Sequence, residues 1–160
     1  MLLERIPDDG MPKIMHKETQ VTEEIAEWGY GDYEGLLTHQ IEALRRERGL
    51  DRERPWDIWR DGCEGEKGES PLGVTGRLDG VIHRITSIQA RGMAEKKHCD
   101  VVVVAHGHIL RAFVKRWLGW SLDTKLELML EPGGICGLSY AHGDIGDRAV
   151  LVGMGFPGPS

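Results

Sequence analysis

Two short stretches of this 160-residue chain hold side chains whose types and spacing can do chemistry. One is His106-Gly107-His108; the other is the run Glu27-Trp28-Gly29-Tyr30-Gly31-Asp32-Tyr33-Glu34-Gly35. The histidine tip has three open readings. An imidazole at an anion site donates a hydrogen bond and carries charge near neutral pH. A His-x-His pair can also ligate a metal, but no Cys, His or acidic cluster lies near it in sequence to complete a shell. Two histidines can, finally, do no more than cap a helix. In the earlier run, three carboxylates compete. Glu27, Asp32 and Glu34 can each serve as general acid or base, yet loop carboxylates are mostly solvated or cap the next helix, and Glu34 reads as structural. The glycines impose a tight backbone path, as a loop needs if it is to bring a carboxylate and aromatic rings around a ligand.

The elements that must position these residues follow from periodicity. Residues 101–104 are four valines in a row, a pattern suited to a strand covered on both faces in the parallel sheet of an α/β protein. Beyond the tip, Ile109, Leu110, Phe113, Val114 and Trp117 recur at helical spacing, with Arg111, Lys115 and Arg116 toward solvent. The unit reads strand, polar tip, helix, and ligands bind at such carboxyl ends beside helix starts. Two further helices are expected, over residues 36–48 and from Ser70-Pro71 to about Lys97, the latter with Ser70 as N-cap. Between them, the polar loop 51–70 carries Trp56 and Trp59, as a lid over the body or as an anchor to the core. Strands are expected over 135–140 and 149–153, a short helix or strand over 125–130, and an edge strand within 13–21. Residues 1–6 read as the last turns of a helix.

Size and composition narrow the class. The length suits one domain, residues 1–160, with a real core. A formal charge of −6 and the lack of a basic stripe argue against nucleic-acid or acidic-membrane partners. Cys63, Cys99 and Cys136 are odd in number and scattered, with no CxxC pair and no secretory segment ahead of them. That pattern fits reduced thiols and a cytoplasmic location. Apolar runs are too short to cross a bilayer.

Three motifs in order carry a resemblance: Glu27 ahead of Gly31-Asp32-Tyr33-Glu34-Gly35, then Gly68-Glu69-Ser70 leading a long helix, then the valine run ending in His106-Gly107. In these the chain resembles the histidine phosphatase superfamily, with its phosphoglycerate-mutase-like fold. Residues 28–35, the tryptophan-rich loop from Gly49 to Glu64, Gly133-Gly134-Ile135 and Leu138-Ser139-Tyr140-Ala141-His142 are most similar to its sugar bisphosphatases. The resemblance implies an α/β three-layer sandwich with a mostly parallel sheet. It implies a phosphatase without metal or cofactor, acting through a phosphohistidine on a small phosphorylated sugar, foremost sedoheptulose 1,7-bisphosphate; a phosphoglycerate mutase activity is the alternative. By position Glu27 would be the proton donor and His106, with Gly107, would hold phosphoryl oxygens. Trp28, Gly29 and Tyr30 would line the sugar side, where Trp28 and Tyr30 would desolvate Glu27. By the same resemblance His142 would be a further substrate contact, and Arg60 and Arg111 are available for a second phosphate.

The chain also departs from the family pattern. Arg-His-Gly, which carries the nucleophile, occurs nowhere; His106-Gly107 and His142-Gly143 both follow alanine, and Ser-x-x-x-Arg-Ala is absent. The expectation is therefore an N-terminally truncated domain that lacks its first strands and is inactive alone. The competing expectations are a non-catalytic module that binds a phosphorylated ligand and an adaptor using the tryptophan loop.

Overall fold

The computed structural model describes residues 19–151. Four helices and one hairpin form the framework: α1 (Thr38–Glu47), α2 (Ile58–Asp61), α3 (Pro71–Glu95), α4 (Gly107–Trp117), β1 (Gly137–Tyr140) and β2 (Arg148–Leu151). The central element is α3. Ser70 accepts the Gly73 N–H and Pro71 opens the first turn, and Lys96 in the left-handed region closes the last. Along it Val74, Leu78, Val81, Ile82 and Ile85 recur on one buried face. Burial of each stabilises by about 1.5–3 kcal/mol. That face packs on α4, where Ile109, Ala112, Phe113 and Trp117 are buried, and the loop aromatics Trp28 and Tyr33 complete the core.

The expected helices lie within two residues of their sequence limits, whereas the strands do not all form. Residues 135–140 and 149–153 were expected to be strands and contribute β1 and β2, paired antiparallel from Gly137 opposite Leu151 to Tyr140 opposite Arg148. Residues 125–130 form neither helix nor strand. The valine run departs most. Residues 101–105 make no backbone hydrogen bond among the described residues, and Val102 and Val104 are 86% and 83% exposed. Val103 and Ala105 pack against the core, so the segment keeps the two-residue alternation of a strand without a neighbour to pair with. Among the described residues the expected mostly parallel sheet of a three-layer sandwich is accordingly absent, and the sheet present is the two-stranded hairpin. The proposed helix end at 1–6 and most of the edge strand at 13–21 fall outside the described residues.

The loop over residues 51–70 is anchored into the body. Trp59 meets Trp28 edge-on at 5.7 Å, Trp56 meets Tyr33 at 5.7 Å, and the Trp56 indole N–H donates to the Gly62 carbonyl. Lys115, expected toward solvent, is buried instead. Its Nζ lies 3.8 Å from the centre of the Trp59 ring and donates to the Leu122 carbonyl. Burial pushes this ammonium below the ordinary lysine range.

Candidate active site

The loop bearing Glu27 is fixed by an ion pair that sequence reading gave no role. Glu69 precedes the N-cap of α3, and Arg77 lies two turns into that helix. Arg77 donates through Nε and Nη2 to both Glu69 oxygens at 2.8 Å. Through Nη1 and Nη2 it also donates to the carbonyls of Glu24, Ala26 and Glu27. Glu69 in turn accepts the Gly29 N–H at 2.8 Å. One guanidinium and one carboxylate thus tie down the backbone on both sides of Glu27.

The glycine-rich run is then zippered to residues 62–69. Asp32 N–H donates to the Glu64 carbonyl at 2.8 Å and Glu69 N–H to the Gly29 carbonyl at 3.0 Å, with Tyr30 bridged to Gly68. A Cβ on Gly29 would strike the Lys67 carbonyl, and one on Gly31, which sits at φ +54°, would strike that of Glu64. These glycines serve a close loop-to-loop approach.

So held, the Glu27 carboxylate lands on the first turn of α4. Oε1 accepts the N–H groups of Ile109 and of its own neighbour Trp28, each at 2.9 Å, and Oε2 accepts the His108 N–H at 3.2 Å. A helix start leaves its first N–H groups without intrahelical partners, and the Glu27 oxygens supply them for His108 and Ile109. The acid from the first loop and the residue pair His106-Gly107 are brought to one place. His106 is the N-cap residue of α4, exposed, with no side-chain cap bond. Gly107 leaves open space toward Arg111, whose Nη1 would be 3.9 Å from a Cβ there.

A second pair lies beside Glu27. Tyr30 Oη and His108 Nδ1 are 2.7 Å apart, and both residues line an open cleft of about 630 Å³ with Ile58 and Arg60. Burial, reinforced by Glu27, pushes the Tyr30 phenol up to about 12. Burial lowers His108 below the ordinary imidazole value, with Glu27 opposing and Arg111 adding to the shift. Arg111 itself donates to the carbonyls of Leu128 and Leu130.

This geometry can be set beside known proteins. Residues 12–150 match the histidine phosphatase superfamily, branch 1. The chain belongs to the histidine phosphatase superfamily. It is 35% identical over 191 aligned residues to sedoheptulose 1,7-bisphosphatase of Saccharomyces cerevisiae, covering 99% of this chain and 69% of that enzyme. It is 34% identical to an acid phosphatase of Mycobacterium tuberculosis, covering 88% of this chain and 60% of that one. A solved structure of an open-reading-frame product from the same mycobacterium superposes with a TM-score of 0.64 at 30% identity, over 84% of this chain and 59% of the other. The chain thus spans about three fifths of the mycobacterial relatives. Its relatives are phosphatases, which supports a phosphatase-type enzyme. No described helix is long and apolar enough to cross a membrane.

Within this superfamily member the expected site residues separate. Glu27, Tyr30, His106 and Gly107 gather at the α4 start. Trp28 does not face a substrate: it is 1% exposed, its indole N–H donating to the Glu69 carbonyl, because its ring fills the core against Trp59. Gly29 is likewise spent on backbone packing. His142 lies elsewhere. Its side chain is 89% exposed and 3.4 Å from Asp147, just beyond Tyr140, which packs on Trp117 at the far end of α4. Ten residues of helix separate Trp117 from Gly107, about 15 Å. Arg60 lines the cleft, held by Asp61 and the Pro55 carbonyl. The His108 side chain, Glu69 and Arg77 were missed. Only the short interval from Glu69, just ahead of the α3 N-cap, to Arg77 on its second turn signalled a pair.

Proposed function

We propose that this chain supplies the proton-donating and phosphoryl-holding side of a phosphatase acting on a phosphorylated sugar, with sedoheptulose 1,7-bisphosphate as the leading substrate. The observation that carries the reading is the Glu27 carboxylate seated on the α4 start beside His106. The 35% identity to a sedoheptulose bisphosphatase supports the substrate. In the reaction a histidine of an Arg-His-Gly segment, which these 160 residues lack, attacks phosphorus as the ester P–O bond breaks. Glu27 gives its proton to the leaving sugar oxygen. Water then attacks the phosphohistidine, and its proton returns to Glu27. Each carboxyl oxygen has two acceptor positions; Oε1 uses both on N–H groups and Oε2 only one. Oε2 is therefore the oxygen that carries the transferable proton. His106, exposed at the N-cap and without a side-chain partner among the described residues, holds phosphoryl oxygens, since such transfers are catalysed mostly by positioning and charge stabilisation.

The valine run at 101–104, without a backbone partner among the described residues and with Val102 and Val104 exposed, fits the same reading, as a sheet strand whose neighbours lie in the segment that brings the nucleophile. The domain is one unit that requires that segment, and its location is cytoplasmic. The test is phosphate release from sedoheptulose 1,7-bisphosphate by the 160-residue chain and by a fusion carrying a family Arg-His-Gly segment. No release from the chain and clear release from the fusion are expected. Turnover by the chain alone would remove the need for an outside nucleophile, and a folded but silent fusion would leave a non-catalytic phospho-ligand module, the reading favoured by the missing Arg-His-Gly.

A further inference from the structure

We infer that His108 is a specificity-determining residue whose Nε2–H donates to an oxygen of the phosphorylated sugar in the cleft, and that Tyr30 sets it up by fixing the imidazole tautomer; this rests on the phosphatase reading above. The inference begins with a count of donors and acceptors. The hydrogen bond of the Tyr30 hydroxyl is to His108 Nδ1, at 2.7 Å. Tyr30 is protonated across the physiological range, and a half-buried phenol needs an acceptor. Nδ1 is that acceptor, so the ring proton sits on Nε2. A charged imidazole would carry protons on both nitrogens and leave the phenol proton facing a donor; burial works against that form.

The rest of the surroundings agree. The His108 backbone is held by the Glu27 carboxylate and its ring lies against Trp59, with centroids 5.5 Å apart, so the ring plane is set from two sides. Nε2 has no protein partner among the described residues, and His108 and Tyr30 both line the cleft. His108 lines the same cleft as Arg60 and stands one residue from Gly107, where open room is left beside the α4 start. A neutral N–H there discriminates without charge. It rewards a substrate that offers an oxygen and penalises one that leaves the donor unpaired.

Two measurements test this on the 160-residue chain. Nitrogen-15 spectra of the labelled imidazole distinguish the tautomers directly. The expected signature is a single neutral Nε2–H form near pH 7 that becomes a mixture in Tyr30→Phe. A neutral Nδ1–H form, or a cation, would overturn the inference. The second measurement is titration with inorganic phosphate, with sedoheptulose and with sedoheptulose 7-phosphate. A glutamine amide can place its N–H near the Nε2 position, whereas asparagine reaches only the Nδ1 position. His108→Gln should hold wild-type affinity within about twofold, and His108→Asn should bind about two- to tenfold more weakly, the worth of one neutral hydrogen bond. Weakening confined to the sugar probes assigns the contact to a sugar oxygen; weakening that includes inorganic phosphate assigns it to the phosphoryl group. Equal affinity in wild type and both variants, or no response of the His108 signals to any probe, overturns the inference. A fusion that turns over while His108 stays silent would sink this inference alone. Binding through His108 in a fusion that releases no phosphate would sink only the phosphatase reading.

Discussion

Residues 29–33 and residues 101–104 are both short segments that lead toward a helix, and their fates are opposite. The first is broken by glycine and aspartate, yet its Gly29 carbonyl and Asp32 N–H are paired across to Glu69 and Glu64 and its Tyr30 is bridged to Gly68. The second is four valines, as strong a strand signal as a sequence offers, yet it is unpaired and largely exposed. The difference teaches that intrinsic preference only prepares a backbone; a neighbour at the right distance makes it a ladder. Glycine supplies that distance in the first case, because two backbones can touch where no Cβ intervenes. In the second no described neighbour is there to touch.

Breaking the first region should be costly. Gly31→Ala puts a Cβ into the Glu64 carbonyl at a positive φ and should destabilise the chain by on the order of 3–5 kcal/mol, read as a shifted urea midpoint. Arg77→Met removes the donor to three carbonyls and strands the Glu69 carboxylate. It should cost roughly 2–4 kcal/mol and speed amide exchange at Gly29 and Trp28.

A smaller effect comes from pH. Because burial lowers His108, the neutral ring is favoured in the folded chain, so its contribution is complete above about pH 6.5 and is lost as pH falls from there through the folded value. Glu27, Arg111 and Tyr30 face the same ring and are common to wild type and variant. Going from about pH 7.5 to about pH 5.5, wild type should therefore lose more stability than His108→Gln. The smallest effect should be Val102→Thr, which stays within about 0.5 kcal/mol in this chain because the side chain is open to solvent. The same substitution in a fusion that pairs the valine run should cost clearly more, which would sharpen the contrast.

Much of the helical frame could be read from the sequence because its causes are local. Ser70 and Pro71 mark the α3 entry, and the spacing from Val74 to Ile85 marks its buried face. Burial of Lys115 could not be read, since it depends on Trp59 arriving from a distant loop and on the Leu122 carbonyl. At the site, the family motifs single out Glu27, Tyr30 and His106, and these three lie together at the α4 start. The Trp28 assignment failed because a tryptophan beside an acid looks the same in sequence whether it faces a ligand or the core. The role of His108 was hidden for a related reason: its tautomer is set by Tyr30, a residue far away along the chain.

The central claim, that Glu27 is the proton donor, is tested most directly by the leaving group. In a fusion carrying an Arg-His-Gly segment, Glu27→Gln should lower phosphate release from a sugar phosphate by about 10²–10⁴-fold, since an alkoxide needs the proton. The first-turnover burst of p-nitrophenolate from p-nitrophenyl phosphate, whose leaving oxygen departs without a proton, should be little changed, because only the later hydrolysis of the phosphohistidine needs Glu27 there. A burst of p-nitrophenolate slowed as much as release from the sugar phosphate, or no loss on the sugar phosphate, would contradict the assignment.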